Sequence, residues 1–148
     1  MNLLKKITFL LLLTFFINCS MSNGQKASNK VKDIEIVKIH TYTRGVSNTL
    51  TVNPNAFSKF KFEDKMFTKS IETNQWEKIK ELVSGLDIKE LDNLKVTSKQ
   101  HQTDGAMAEV LTITINGDNY QSPTYDAGEP PTEIKELVSY IKRLDNTK

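Results

Sequence analysis

The stretch Val110-Leu111-Thr112-Ile113-Thr114-Ile115-Asn116-Gly117-Asp118-Asn119-Tyr120 decides the fold. Leu111, Ile113 and Ile115 alternate with Val110, Thr112 and Thr114, the two-residue period of a strand with two distinct faces. Asn116-Gly117 then supplies the pair that most readily takes positive φ at both central positions of a type I′ turn, whose twist suits a tight hairpin. In that register Tyr120 stands opposite Ile113 and shares its face, which makes it core or the wall of a site.

Downstream of the hairpin, Pro130-Pro131 cannot continue a strand, and Thr132 and Glu133 offer a cap and a favourable first-turn charge for a helix. Ile134, Leu137, Val138, Ile141 and Leu144 recur at helical spacing, an apolar stripe to be laid on the sheet. Upstream, Trp76, Ile79, Leu82 and Val83 fall on one helical face between Asn74 and Ser84, with Glu77, Lys78, Lys80 and Glu81 opposite. Asn74 is a cap candidate there, Gly85 a left-handed terminator, and Asp87 to Leu94 a short turn or one helical turn.

Further upstream, Val31 to Arg44 reads as a strand. Ile34 and Ile36 lie on one face and Val37 and Ile39 on the other, a pattern that calls for a bulge or burial on both sides. The pair Arg44-Gly45 turns the chain, Thr49 to Val52 forms a second strand, and Asn53-Pro54-Asn55 ends it. Phe60 and Phe62 alternate with Lys59, Lys61 and Glu63, the pattern of a third strand with its aromatics inside and its charges in water.

The sum is one α+β domain over residues 31–148, ordered β-β-β-α-β-β-α. Its antiparallel sheet has about five strands and carries both helices on one face. The other sheet face is left polar or free for a partner. Ile79-Lys80-Glu81-Leu82-Val83-Ser84 recurs letter for letter at Ile134-Lys135-Glu136-Leu137-Val138-Ser139, which suggests either two strand-strand-helix halves or two amphipathic helices drawing on the same few residue types.

The start of the chain has a different character. Met1-Asn2-Leu3-Leu4-Lys5-Lys6 is short and basic, and Ile7 to Ile17 is apolar except for Thr8 and Thr14. This is the charged start and greasy middle of a signal peptide, assigned to residues 1–18. At about 11 residues the run is short of the roughly 20 that a spanning helix needs. Cys19, the only cysteine, follows in Phe16-Ile17-Asn18-Cys19, which resembles the lipidation site of small bacterial envelope lipoproteins.

That resemblance implies an acylated Cys19 as the first mature residue, a membrane partner reached through the lipid, and a tether over residues 19–30. Ser20 stands where an Asp would retain such a protein at the inner membrane, so the resemblance implies the outer membrane, facing the periplasm. The alternative is cleavage after Gly24, where Ser22 and Gly24 present small residues, giving a soluble periplasmic or secreted product that starts at Gln25. Either cut removes Lys5 and Lys6, and a chain cut at Cys19 balances 18 basic against 18 acidic residues. Such a neutral chain has no general field to attract nucleic acid.

The sequence holds no phosphate-binding glycine loop, nucleophile elbow, paired metal-binding histidines or calcium loop, so no catalytic residue, metal or cofactor is assigned. Arg44, His101 and Asp104 form a possible polar site, with Ser98 and Thr103 near His101 in sequence. His101 with Asp104 and Asp126 would make an envelope hydrolase if the fold joined them. His40 reads as a partly exposed strand residue and Trp76 as a core anchor.

A candidate binding loop carries Tyr120, Ser122, Tyr125, Asp126 and Glu129 ahead of Pro130-Pro131. In the plainer reading, the prolines and Gly128 set a turn while Tyr125 packs on the sheet. The segments Asp104-Gly105-Ala106 and Asp126 to Pro131 resemble those of small exported bacterial proteins of no assigned activity. The expectation is therefore a non-catalytic binding module for an envelope partner, with a hydrolase, or an inhibitor presenting a rigid loop to a secreted hydrolase, as the alternatives.

Overall fold

In the computed structural model, residues 33–62 and 66–146 are described; the export segment, Cys19, the tether and Glu63 lie outside them. The strands are β1 (Ile34–Thr43), β2 (Val46–Val52), β3 (Ala56–Lys61), β4 (Phe67–Ser70), β5 (Ala108–Ile115), β6 (Asp118–Gln121) and β7 (Tyr125–Asp126). Helix α1 (Thr73–Ser84) follows β4 and helix α2 (Lys135–Asn146) closes the domain. Every pairing is antiparallel, in the order β4-β3-β2-β1-β5-β6, with β7 also on β5.

The domain is thus α+β, as the sequence indicates, but with seven strands rather than five. The two extra strands are short: four residues at the sheet edge, and two residues separated from β6 by Ser122-Pro123-Thr124. Segments this brief carry no readable alternation. The β6–β7 gap is repaired by a side chain, because the Ser122 hydroxyl accepts the Leu111 N–H at 3.0 Å and donates to the Pro123 carbonyl at 2.9 Å.

The central hairpin forms in the expected register. Asn116 and Gly117 both have positive φ, at 52° and 81°, and Tyr120 pairs with Ile113. In β1 the pairing shifts between Ile34 and Ile36, so a bulge brings Ile34 onto the same face as Val37 and Ile39 and turns Ile36 outward. These side chains meet Leu111, Ile113, Val52 and Phe57 from the sheet, and Trp76, Ile79, Val83, Leu137, Val138 and Ile141 from the helices, in one core. The opposite sheet face, carrying Lys38, Thr49, Thr51, Ser58 and Thr114, has no α-helix over it among the described residues.

Both helix starts differ from the sequence expectation. The cap of α1 is Glu72 rather than Asn74, with the Glu72 N–H donating to Gln75 Oε1 at 3.0 Å in a capping-box arrangement. Gly85 stays right-handed, φ −79°, because the helix tightens into a turn closed by Leu86 N–H on the Val83 carbonyl. Thr132 caps nothing: Thr132–Ile134 is a 3-10 turn that leads into α2. The repeated hexapeptide ends α1 but spans the entry to α2, and buries its first and fifth residues in both places.

The third strand is inverted relative to its expected faces. Phe57, only 1% exposed, is its core residue, while Phe60 and Phe62 are 46% and 57% exposed. Lys59 and Lys69 take the helix side instead, where Lys59 pairs with Asp145 and Lys69 donates to the Leu144 carbonyl at 2.5 Å. The carboxyl end of α2 presents unpaired carbonyls and a partial negative charge, and the two ammonium groups satisfy it. An electrostatic demand at a helix end therefore sets which face of β3 carries the charges.

Candidate functional site

The end of the sheet where β1 finishes and β5 begins gathers most of the residues singled out by chemistry. Asp126 pairs with Ala108 and so projects from the face without helices. Its Oδ2 accepts the Ser98 hydroxyl and the Gln100 N–H, the latter at 2.9 Å. Its Oδ1 accepts the His101 N–H at 2.8 Å and lies 2.5 Å from His101 Nδ1. An ionised carboxylate only accepts, so Nδ1 carries the proton of that contact.

Burial works to raise the Asp126 pKa, but the hydrogen bonds from Ser98, the two backbone amides and the His101 ring outweigh it and hold the carboxyl well below the usual range. The result is a clamp that ties the 3-10 turn Gln100–Thr103 to β7. A carboxyl whose folded pKa lies below its unfolded value near 4 contributes stability above about pH 4, and loses it as pH falls toward the folded value. Thermal melts from about pH 6 to 2 are expected to show a steep acid limb, and Asp126→Asn a lower midpoint near neutrality with a shallower limb. Parallel limbs in the two proteins would contradict the assignment.

His101 and Asp126 therefore meet, but Asp104 does not join them: its left-handed backbone, φ 57°, turns the carboxylate to Arg44 at 3.9 Å. The Ser98 proton is engaged by Asp126 rather than by an imidazole. A serine–histidine–carboxylate relay needs the histidine between the other two, and here the carboxylate is in the middle. Among the described residues no group of three or more His, Cys, Asp or Glu side chains is placed to hold a metal.

The proposed loop from Tyr120 to Glu129 turns mostly inward. Tyr125 is fully buried, Ser122 and Asp126 are buried, Tyr120 packs against the core, and Glu129 alone of the five is exposed. Tyr125 stands opposite Glu109, itself completely buried on the helix side of β5. Glu109 accepts Thr41 Oγ1 at 2.7 Å and forms an ion pair with Lys142 of α2 at 2.7 Å. Burial, reinforced by the charge and the closeness of the Glu109 carboxylate, drives the Tyr125 pKa upward. These groups fasten α2 to the sheet and present little to a ligand.

One concave surface lies on the face without α-helices, beside Tyr42. Rows of cross-strand neighbours run Tyr42, Ser47, Phe62 and His40, Thr49, Phe60. The Tyr42 and His40 rings stack at 4.8 Å, and His40 Nε2 lies 3.0 Å from Ser47 Oγ. Between Tyr42 and Phe62 opens a slot of about 310 Å³, also lined by His40, Val46 and Ser47. On the other side of Tyr42 a second depression, about 350 Å³, reaches Arg44, His101, Asp104 and Ala106.

No family model, curated protein or solved structure matches this chain. The site therefore rests on its own geometry. Arg44 was visible in the sequence as a polar candidate, whereas His40 read as a partly exposed strand residue and Phe60 and Phe62 as core. The overlooked signal was Phe57, which has the opposite parity and can fill the core alone.

Proposed function

We propose that this chain is an exported, lipid-anchored envelope protein that binds a ligand without transforming it, through the slot between Tyr42 and Phe62. The observation that carries this reading is exposed aromatic surface on a sheet face that no α-helix among the described residues covers. Apolar rings exposed together on a soluble domain mark a contact surface. The lipid anchor rests on Cys19 and the preceding apolar run; no helix among the described residues is long and apolar enough to cross a membrane.

A hydrolytic alternative has one observation in its favour, the His101–Asp126 contact. It lacks an assembled nucleophile, since Ser98 donates to Asp126. The inhibitor alternative rests on the Pro130-Pro131 corner, where Pro131 is buried. Both are weaker than the slot.

A photo-reactive benzoylphenylalanine placed at Ser47 of the full-length protein, in intact cells, is expected to give discrete adducts. The same group at Glu81, exposed on the outer side of α1, serves as the control. Matching diffuse labelling from both positions would remove the binding reading. Mass analysis of the mature amino terminus is expected to find an acylated Cys19, and a chain beginning at Gln25 would remove the anchor.

A further inference from the structure

We infer that the ligand of this slot is a neutral oligosaccharide, lying across Tyr42 from the Phe62 side to the Arg44–Asp104 pair. The inference rests on the binding reading above and names its ligand class. Four features of the surface select it.

The first is charge. Among the described residues the slot is lined by His40, Tyr42, Thr43, Gly45, Val46, Ser47 and Phe62, with no carboxylate, ammonium or guanidinium. These lining groups hold no fixed counter-charge for the hydration that an anionic or cationic ligand would surrender. The neighbouring depression does carry charges, but Arg44 and Asp104 are paired with each other and offset.

The second is the engagement of the backbone. The strands beneath the slot are hydrogen-bonded on both sides, β2 to β1 and to β3, and the Phe62 N–H is donated to the Ser47 carbonyl at 2.8 Å. An extended peptide gains affinity by adding to a free strand edge, and β2, the strand at the floor of the slot, offers none. Recognition must come from ring faces and side-chain polar atoms.

The third is width. Tyr42 and Phe62 stand on strands separated by one other, so their backbones are about 10 Å apart at the usual strand spacing. The side chains narrow that gap further. A helix with its side chains measures about 10–12 Å across and does not enter, whereas a single saturated ring does.

The fourth is the alternation of chemistry. The electron-rich faces of Tyr42 and Phe62 attract the polarised C–H bonds of a sugar ring face. Ser47 Oγ and His40 Nε2 meet hydroxyl groups at the ring edge. Beyond Tyr42 the planar guanidinium and carboxylate of Arg44 and Asp104, both largely exposed, offer paired donors and acceptors to adjacent hydroxyls. Because the two depressions share Tyr42 and Thr43, a chain of sugars can occupy both.

The test uses the mature protein with labelled aromatic rings, titrated with cellohexaose, maltohexaose and chitohexaose, and separately with N-acetylphenylalanine amide. At least one hexaose is expected to shift the Tyr42 and Phe62 signals saturably, with a Kd on the order of 1 mM or tighter. Raising salt about tenfold should leave that affinity unchanged, since no ion pair is made. Tyr42→Ala and Phe62→Ala should each weaken it at least about tenfold while the protein still unfolds cooperatively near the parent midpoint.

Shifts with the amide but with no hexaose would overturn the sugar assignment and leave the binding reading standing. No shift at Tyr42 or Phe62 with any probe would overturn both. Sugar binding that survives Tyr42→Ala unchanged would place the site elsewhere and also overturn the assignment.

Discussion

Phe57→Ala is expected to cost about 3–5 kcal/mol of folding stability, while Phe60→Ala and Phe62→Ala cost about 1 kcal/mol or less. All three are phenylalanines on or just beyond one strand, so the contrast isolates the face each one occupies. Phe57 is sealed between the sheet and α2, with the Lys69 ammonium 5.3 Å from its ring centroid. Truncating it opens a cavity in the core that neighbouring side chains fill only in part. Phe60 and Phe62 already face solvent over much of their surface and leave no cavity behind. Urea unfolding with an unchanged denaturant slope measures the three directly. Similar losses for all three would mean that β3 pairs one residue out of the register found here.

That strand also shows where sequence reasoning stops. The β5–β6 hairpin was legible because Asn116-Gly117 fixes its turn and Leu111, Ile113 and Ile115 fix its face, so local chemistry and burial agree. The helices were legible from their apolar stripes, but not their ends: Glu72 caps α1 through Gln75, and nothing in Thr73-Asn74 marks which polar residue takes that role. In β3 the pattern was real and its orientation was reversed. Lysines beside phenylalanines point outward by default, and only the carboxyl end of α2, some 75 to 86 residues away, reverses that by drawing Lys69 and Lys59 under the helix. The exposed aromatics of the slot follow from this long-range contact. The Asp126 clamp was hidden for the same reason, since Ser98 and His101 lie 28 and 25 residues from the carboxylate they hold.

Lys142→Ala is expected to destabilise the domain by about 2–4 kcal/mol, more than Glu109→Leu does, because the two ends of this ion pair are buried unequally. Glu109 is wholly enclosed, whereas the Lys142 side chain retains 36% of its exposure. Removing Lys142 strands a buried carboxylate beside the Tyr125 side chain, facing neutral groups such as the Thr41 hydroxyl and no cation among its described partners. Removing Glu109 instead frees a lysine that can swing into water, and the loss reduces to an unpaired Thr41 hydroxyl, about 1–2 kcal/mol. The exposed end of the pair is why the larger figure falls below the 3–5 kcal/mol usual for breaking an enclosed one. In the double variant Glu109→Leu/Lys142→Leu, apolar side chains replace both charges, and most of the Lys142→Ala loss should return. A cycle built from Lys142→Leu and Glu109→Leu should then show coupling well outside additivity. Equal single losses that simply add would mean that Glu109 is not held by Lys142, and that α2 is fastened to the sheet by its apolar stripe alone.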